Sequence, residues 1–203
     1  MKKVIKINPR KPEKKGIAKA AKIIRSGGVA VFPTETVYGL GCSPFRKTAV
    51  KRIFRIKGRA FRKPLSVIVS DFRQVKKLVR NMSPLALRLM SSHWPGPLTI
   101  IFRKSGRVPA SVTGGSGTVG IRMPDHLITQ ELIRAAGTPL VATSANRSGR
   151  KPSTTAKSAA KAVEEADIVI DGGRSALRKP STVIDLSGKK PKILRRGALK
   201  LEY

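Results

Sequence analysis

Ile17-Ala-Lys-Ala-Ala-Lys-Ile-Ile-Arg-Ser-Gly-Gly-Val-Ala-Val-Phe-Pro33 sets the architecture of this chain. Ala20, Ile23 and Ile24 recur at helical spacing, and Gly27-Gly28 ends the run. Val29 to Phe32 then reads as a short apolar strand that stops at Pro33. Helix followed by strand is the unit of α/β proteins, and the alternation continues outward. Residues 47–57 carry Val50, Ile53 and Phe54 on one helical face before Gly58, and residues 65–69 read as a buried strand. Asp71 with Gln74 three residues later, and Ser83 before Pro84, mark two further helix starts. Trp94-Pro-Gly-Pro97 is a rigid turn before a strand over 98–102. Strands over 118–123 and 140–143 flank a helix over about 127–136. A helix over 155–165 leads to a strand at 167–171, and strands over 181–186 and 192–195 follow. The first 15 residues and the last few are expected to be loose, leaving residues 16–203 as one domain.

Glycine- and proline-rich joints fall at strand ends, over 33–41, 114–117, 144–149 and 172–173. In open α/β sheets ligands bind beyond strand ends, where loops supply backbone N–H groups, so four such joints predict one shared crevice.

Composition narrows the function. A chain of 203 residues buries roughly 70% of its unfolded surface and needs neither disulfide nor metal to fold. Cys42 is the lone cysteine, which excludes an internal disulfide and fits a reducing compartment; with His93 and His126 it makes no zinc-binding set. No apolar run approaches the ~20 residues that cross a bilayer, and Lys2, Lys3 and Lys6 are not followed by a signal-peptide core, so a cytoplasmic protein is expected. The charge is unusual: 43 Lys and Arg against 11 Asp and Glu give +32, a field that attracts polyanions and makes RNA a candidate partner. Aromatics at 4% do not support a base-stacking platform.

No GxxxxGK[ST] loop is present, so P-loop ATP binding is excluded. Residues 115–120 match GxGxxG but run into a strand instead of a helix, which fails the context of a dinucleotide site. No GxSxG elbow or Ser/His/Asp order emerges. Residues 46–63 hold nine basic residues and no acid. A solvated helix face accounts for Lys51 and Arg55. Lys57-Gly-Arg59 lies past the helix end beside a glycine, where cations, with Arg62-Lys63 following, suit a polyphosphate. Ser144-Ala-Asn146 ends a strand; it is either a turn or a hydroxyl-and-amide shelf for a nucleotide.

Six blocks occur in order: Pro33-Thr-Glu-Thr-Val-Tyr-Gly-Leu-Gly41, Lys57-Gly-Arg59 with Lys63-Pro-Leu65, Trp94-Pro-Gly-Pro-Leu-Thr99, Val119-Gly-Ile-Arg-Met-Pro-Asp125, Thr143-Ser-Ala-Asn146 and Ser181-Thr-Val-Ile-Asp185. The series, over roughly 18–197, closely resembles the YrdC (TsaC) family, whose hallmark is the paired KxR and SxN. The resemblance implies a single-domain α/β fold, a twisted, mostly mixed sheet flanked by helices, with a concave basic groove. It implies a threonylcarbamoyl-AMP synthase, which turns L-threonine, bicarbonate and ATP into threonylcarbamoyl-adenylate and pyrophosphate. Magnesium would arrive on the nucleotide, with no protein metal site, and a downstream transferase would pass the group to an adenosine of tRNA. Residue by residue, the resemblance assigns Lys57 and Arg59 to catalysis and ATP binding. Thr118, Ser144, Asn146, Ser153 and Arg195 match further ATP-side positions, and Thr36, Arg122 and Ser181 match the threonine side; Lys63, placed at the ATP site by its charge, stands where many relatives carry a neutral or different polar residue. Ser153 follows a segment one residue longer than the family spacing. Ile68 stands where the long branch carries a histidine, so no threonine contact is expected from it. The competing reading is a non-catalytic YrdC-like protein that binds double-stranded RNA or tRNA. A carbamoyl-transfer enzyme is disfavoured, because it needs a longer, cysteine-rich chain.

Overall fold

Residues 3–201 are described by the computed structural model, so of the stretches expected to be loose, residues 1–2 and 202–203 lie outside the described residues. Helices form where apolar spacing and caps place them. α1 (Lys14–Arg25) buries Ile17, Ala20, Ala21 and Ile24. α2 (Lys47–Lys57) buries Val50, Ile53 and Phe54 and ends at Gly58, whose φ of 57° is a left-handed turn that glycine takes without strain. In α3 (Phe72–Leu78) the Asp71 carboxylate accepts from the Gln74 N–H at 2.9 Å. The side chain of Gln74 accepts from the Ser70 N–H, not from that of Asp71, so the expected reciprocal box is shifted by one residue. α4 (Pro84–His93) starts with Ser83 capping Ala86. α5 (Ala110–Thr113), α6 (Leu127–Ala136) and α7 (Ala156–Ala162) complete the set.

Ten strands join in one mixed sheet: β1 (Lys3–Lys6), β2 (Ala30–Phe32), β3 (Gly39–Cys42), β4 (Ser66–Ile68), β5 (Leu98–Arg103), β6 (Thr118–Arg122), β7 (Leu140–Ser144), β8 (Ile168–Asp171), β9 (Thr182–Asp185) and β10 (Lys192–Arg195). Their order is β1-β8-β2-β3-β7-β4-β6-β5-β9-β10. β1 and β2 run parallel to β8, β4 to β6 and β5 to β9; the other neighbours are antiparallel.

Two of these strands were not expected. β1 falls in the segment expected to be loose; it pairs with β8 from Lys3↔Ile168 to Lys6↔Asp171, and Ile7 beyond it is buried. Its two apolar residues between lysines carry too little local pattern, and the strand exists because distant β8 offers an edge. β3 lies inside the joint read as a loop. Its glycines are required by packing: a Cβ on Gly39 would come within 2.6 Å of the Phe32 ring, and one on Gly41 within 2.2 Å of the Val141 carbonyl oxygen. The Phe32 ring therefore lies across β3, and the strand gives up the side chains that would have announced it.

Alternation along the strands divides the interior. Val31, Val67, Val141, Val169, Ile100 and Ile121 face one core with α2, α3 and α4. Ala30, Phe32, Ile68, Leu140, Ile168 and Ile170 face a second core under α1 and α6. Covered on both faces, these strands read as continuous apolar runs. Further along the second face the same register brings up Ser66, Thr99, Arg122, Ala142 and Ser144, polar or small residues. The apolar face thus gives way to a polar floor beside α1 and α6.

Candidate active site

A cavity of about 410 Å³ stands on that floor. Its wall includes Thr36, Lys57, Arg59, Lys63, Arg122, Ser144, Asn146, Ser181 and Arg195, nine positions that the sequence singles out and the chain brings together from all along its length. Arg59 and Asn146, 87 residues apart in number, share one hollow. Two positions do not reach it. Thr118 pairs across the sheet with Arg103, and its hydroxyl lies 2.8 Å from that of Ser116. Ser153 is buried behind the wall, where its carbonyl accepts from the Tyr38 N–H, and Pro152 lines the cavity instead. Neither lines the cavity: Thr118 shares the face of β6 that carries Arg122 but stands at the far start of the strand, and the backbone turn keeps Ser153 behind Pro152.

The joints at 33–41 and 144–149 line the cavity; those at 114–117 and 172–173 support it from behind. A Cβ at Gly114 would come within 2.8 Å of the Phe61 carbonyl oxygen, and the Leu65 N–H bonds to the Val112 carbonyl. α5 therefore backs the 59–65 loop. Gly172 and Gly173 are held by Tyr38: its Oη donates to Gly173 O at 2.6 Å and accepts from the Gly172 N–H at 3.2 Å. Burial pushes the phenol up to about 12, so it stays protonated. Tyr38→Phe leaves both backbone groups without that partner and should destabilise the protein by about 1–3 kcal/mol in urea unfolding.

Lys57 joins the two hallmark motifs mechanically. Its Nζ donates to Ser144 O at 2.5 Å and Asn146 O at 2.6 Å, while its own carbonyl accepts from the Ser148 N–H at 2.8 Å. Two of three ammonium protons are thereby spent on the shelf and one is left for a ligand. Burial, then the nearby Arg59 charge, bring its pKa down to about 8. Arg59 is braced by the carbonyls of Lys63 and Pro64. The Asn146 amide donates to the Arg147 and Arg150 carbonyls at 2.8 and 2.7 Å, which fixes its orientation because carbonyls only accept.

On the opposite wall Arg195 donates to the carbonyl and hydroxyl of Ser181, at 2.9 and 3.0 Å, and the Thr99 hydroxyl lies 2.8 Å from that hydroxyl. The supposed ATP-side arginine and threonine-side serine therefore touch. Burial, then Arg122, lower the pKa of Arg195. Arg122 donates from Nε to Gly96 O at 3.1 Å and pairs with Glu35, Nη2 to Oε1, at 2.6 Å. Thr34 adds a hydroxyl 2.9 Å from that of Thr36.

Lys57, Arg59, Lys63, Arg122, Arg150 and Arg195 face the cavity, and no carboxylate lines it. Five of these six cations have no ion-pair partner among the described residues and repel one another until an anion enters, so the cavity suits a polyanion. Sequence reading gave no role to Arg150, Thr99, Thr34 or Tyr38, and read Glu35 as structural. Arg150 sat within a visible basic segment; the others become functional only through contacts made by folding. Cys42 is buried, its thiol pushed up to about 12, which makes it a poor nucleophile. Among the described residues no cluster of three or more His, Cys, Asp or Glu could hold a metal, and no helix is long and apolar enough to cross a membrane.

The chain is similar to known proteins over nearly all its length. The threonylcarbamoyl-AMP synthase of Pyrococcus abyssi is 44% identical over 184 residues, 90% of this chain and 54% of that protein, so the chain spans about half its length. The threonylcarbamoyl-AMP synthase of Thiobacillus denitrificans is 41% identical over 81% of this chain and 87% of its own. The structure of P. abyssi Sua5 complexed with L-threonine superposes with a TM-score of 0.92 at 41% identity, covering 96% of this chain and 57% of that one. E. coli YciO superposes with a TM-score of 0.89 at 32% identity over 97% and 96% of the two chains. The Sua5/YciO/YrdC family model, described as "Telomere recombination", matches residues 22–197. On that match, and with relatives 41% and 44% identical over most of its length, the chain belongs to the Sua5/YciO/YrdC family.

Proposed function

We propose that the chain is a threonylcarbamoyl-AMP synthase, converting L-threonine, bicarbonate and ATP into L-threonylcarbamoyl-adenylate, pyrophosphate and water. The observation that carries this reading is a single acid-free cavity with phosphate-suited cations (Lys57, Arg59, Lys63) on one wall and an arginine with hydroxyls (Arg122, Thr36, Ser181) on another. Relatives that bear the synthase name, and a relative solved with L-threonine, support it. In this scheme Arg122 takes the amino-acid carboxylate, beside the Thr36 and Ser181 hydroxyls. The amine adds to the carbon of bicarbonate and water leaves, giving a carbamate. A carbamate oxygen attacks the α-phosphorus and the bond to pyrophosphate breaks. Lys57, Arg59 and Lys63 stabilise charge on the phosphoryl oxygens and on the leaving group, while the cavity holds three reactants together. With no carboxylate in the wall, a magnesium ion would be held by the triphosphate and its waters, and would shield phosphate charge when bound.

The product is an activated acyl group, so a tRNA-modifying transferase that consumes it completes the role, in the cytoplasm where tRNA and ATP are found. The +32 charge favours RNA affinity as well, which keeps non-catalytic RNA binding as the alternative. Pyrophosphate release by the purified protein separates the two. Release that requires both threonine and bicarbonate supports the synthase; tight RNA binding without such release supports the alternative.

A further inference from the structure

Of the six cationic side chains facing the cavity, Arg122 alone has an acidic partner in an ion pair among the described residues. That partner, Glu35, lies in the loop between β2 and β3, one residue before Thr36, and does not itself line the cavity. Both side chains are nearly inaccessible, at 10% and 11% exposure. Neither Glu35 oxygen takes a hydrogen bond, so the 2.6 Å contact with Arg122 is an ion pair without hydrogen-bond alignment. His126 nearby does not compensate it: burial lowers the pKa of that imidazole against the pull of Glu35 and Asp125. A carboxylate buried with so little support is a costly way to gain stability, since an apolar side chain would serve better. Its geometry has a different consequence. Glu35 at Nη2 and the Gly96 carbonyl at Nε hold one edge of the guanidinium, which leaves the Nη1 end for a ligand.

We propose that Glu35 is a positioning residue for the amino-acid substrate, fixing Arg122 so that the free end of its guanidinium meets the substrate carboxylate. This rests on the synthase reading above. Arg122 then presents Nη1 as a fixed donor, where an unanchored arginine would swing towards the phosphates and bind them in the wrong place. Steady-state kinetics of Glu35→Gln test it. The KM for L-threonine should rise about 30-fold, the scale for breaking a buried charge pair, while the KM for ATP stays within about twofold. Glu35→Asp should recover part of the loss. In an Arg122→Lys background Glu35→Gln should add little, because the group through which it acts is gone. If Glu35→Gln melts below the assay temperature, Glu35→Asp carries the test, with the same split between the two KM values. Unchanged KM values, an equal rise in both, or fully additive effects with Arg122→Lys would overturn the proposal. Wild-type protein with no threonine-dependent pyrophosphate release would instead overturn the synthase reading.

Discussion

Lys57→Met should lower kcat/KM for ATP by about 10²–10³-fold, the scale of removing one fixed donor from a developing negative charge. Methionine nearly matches the length and apolar volume of lysine but has no ammonium. Two losses coincide. The phosphates lose a cation, and the carbonyls of Ser144 and Asn146, both held by Nζ, are released, so the shelf shifts. Arg59→Ala removes a cation without freeing the shelf and should cost less than Lys57→Met. The pH dependence follows from the same burial. Lys57 titrates at about 8 in the empty cavity, so it is charged below that pH and loses its proton above it. ATP affinity should therefore fall as pH rises through 8, and binding above pH 8 should take up a proton, seen as a buffer-dependent heat in calorimetry. Stability runs the other way. Between pH 8 and 10.5 the unfolded chain carries the proton and the native chain does not, so Lys57 favours the native state increasingly as pH rises through that window.

Arg122→Met should destabilise the protein by about 3–5 kcal/mol, because it leaves the Glu35 carboxylate buried without its cation. For a chain of this size that corresponds to a thermal midpoint lower by roughly 6–20 °C. The loss should be much smaller when Glu35→Gln is added, since a neutral amide costs less to bury than a charge. A full loss in the double variant would mean that Arg122 supports the fold through its packing or its Gly96 bond. Threonine-dependent turnover should disappear in both variants, so recovery of stability without recovery of activity separates the two roles of this arginine.

How much of this was legible depended on whether the determining contacts were local. α2 and α6 form where the spacing set them, because apolar faces and terminal glycines Gly58 and Gly137 are local features. β3 was hidden because its glycines answer to the Phe32 ring, and β1 because its pairing partner is more than 160 residues away. The cavity was legible as motif blocks but not as mechanics. Nothing in the sequence around Lys57 tells that its ammonium would grip two carbonyls of the other hallmark motif. Thr118 and Ser153 matched the pattern, yet neither lines the cavity, Thr118 because it stands at the start of β6 while Arg122 stands at its end, and Ser153 because the turn before α7 keeps it behind Pro152. Glu35 looked like a loop carboxylate until Arg122 came beside it.

A structure of the protein with L-threonine and a non-hydrolysable ATP analogue bound would test the central claim most directly. The phosphates should lie within hydrogen-bond reach of Lys57 and Arg59, and the amino-acid carboxylate against Arg122, in the same hollow. Ligands seated in different places, or phosphates held by Arg122 with Lys57 still turned to its two carbonyls alone, would contradict it.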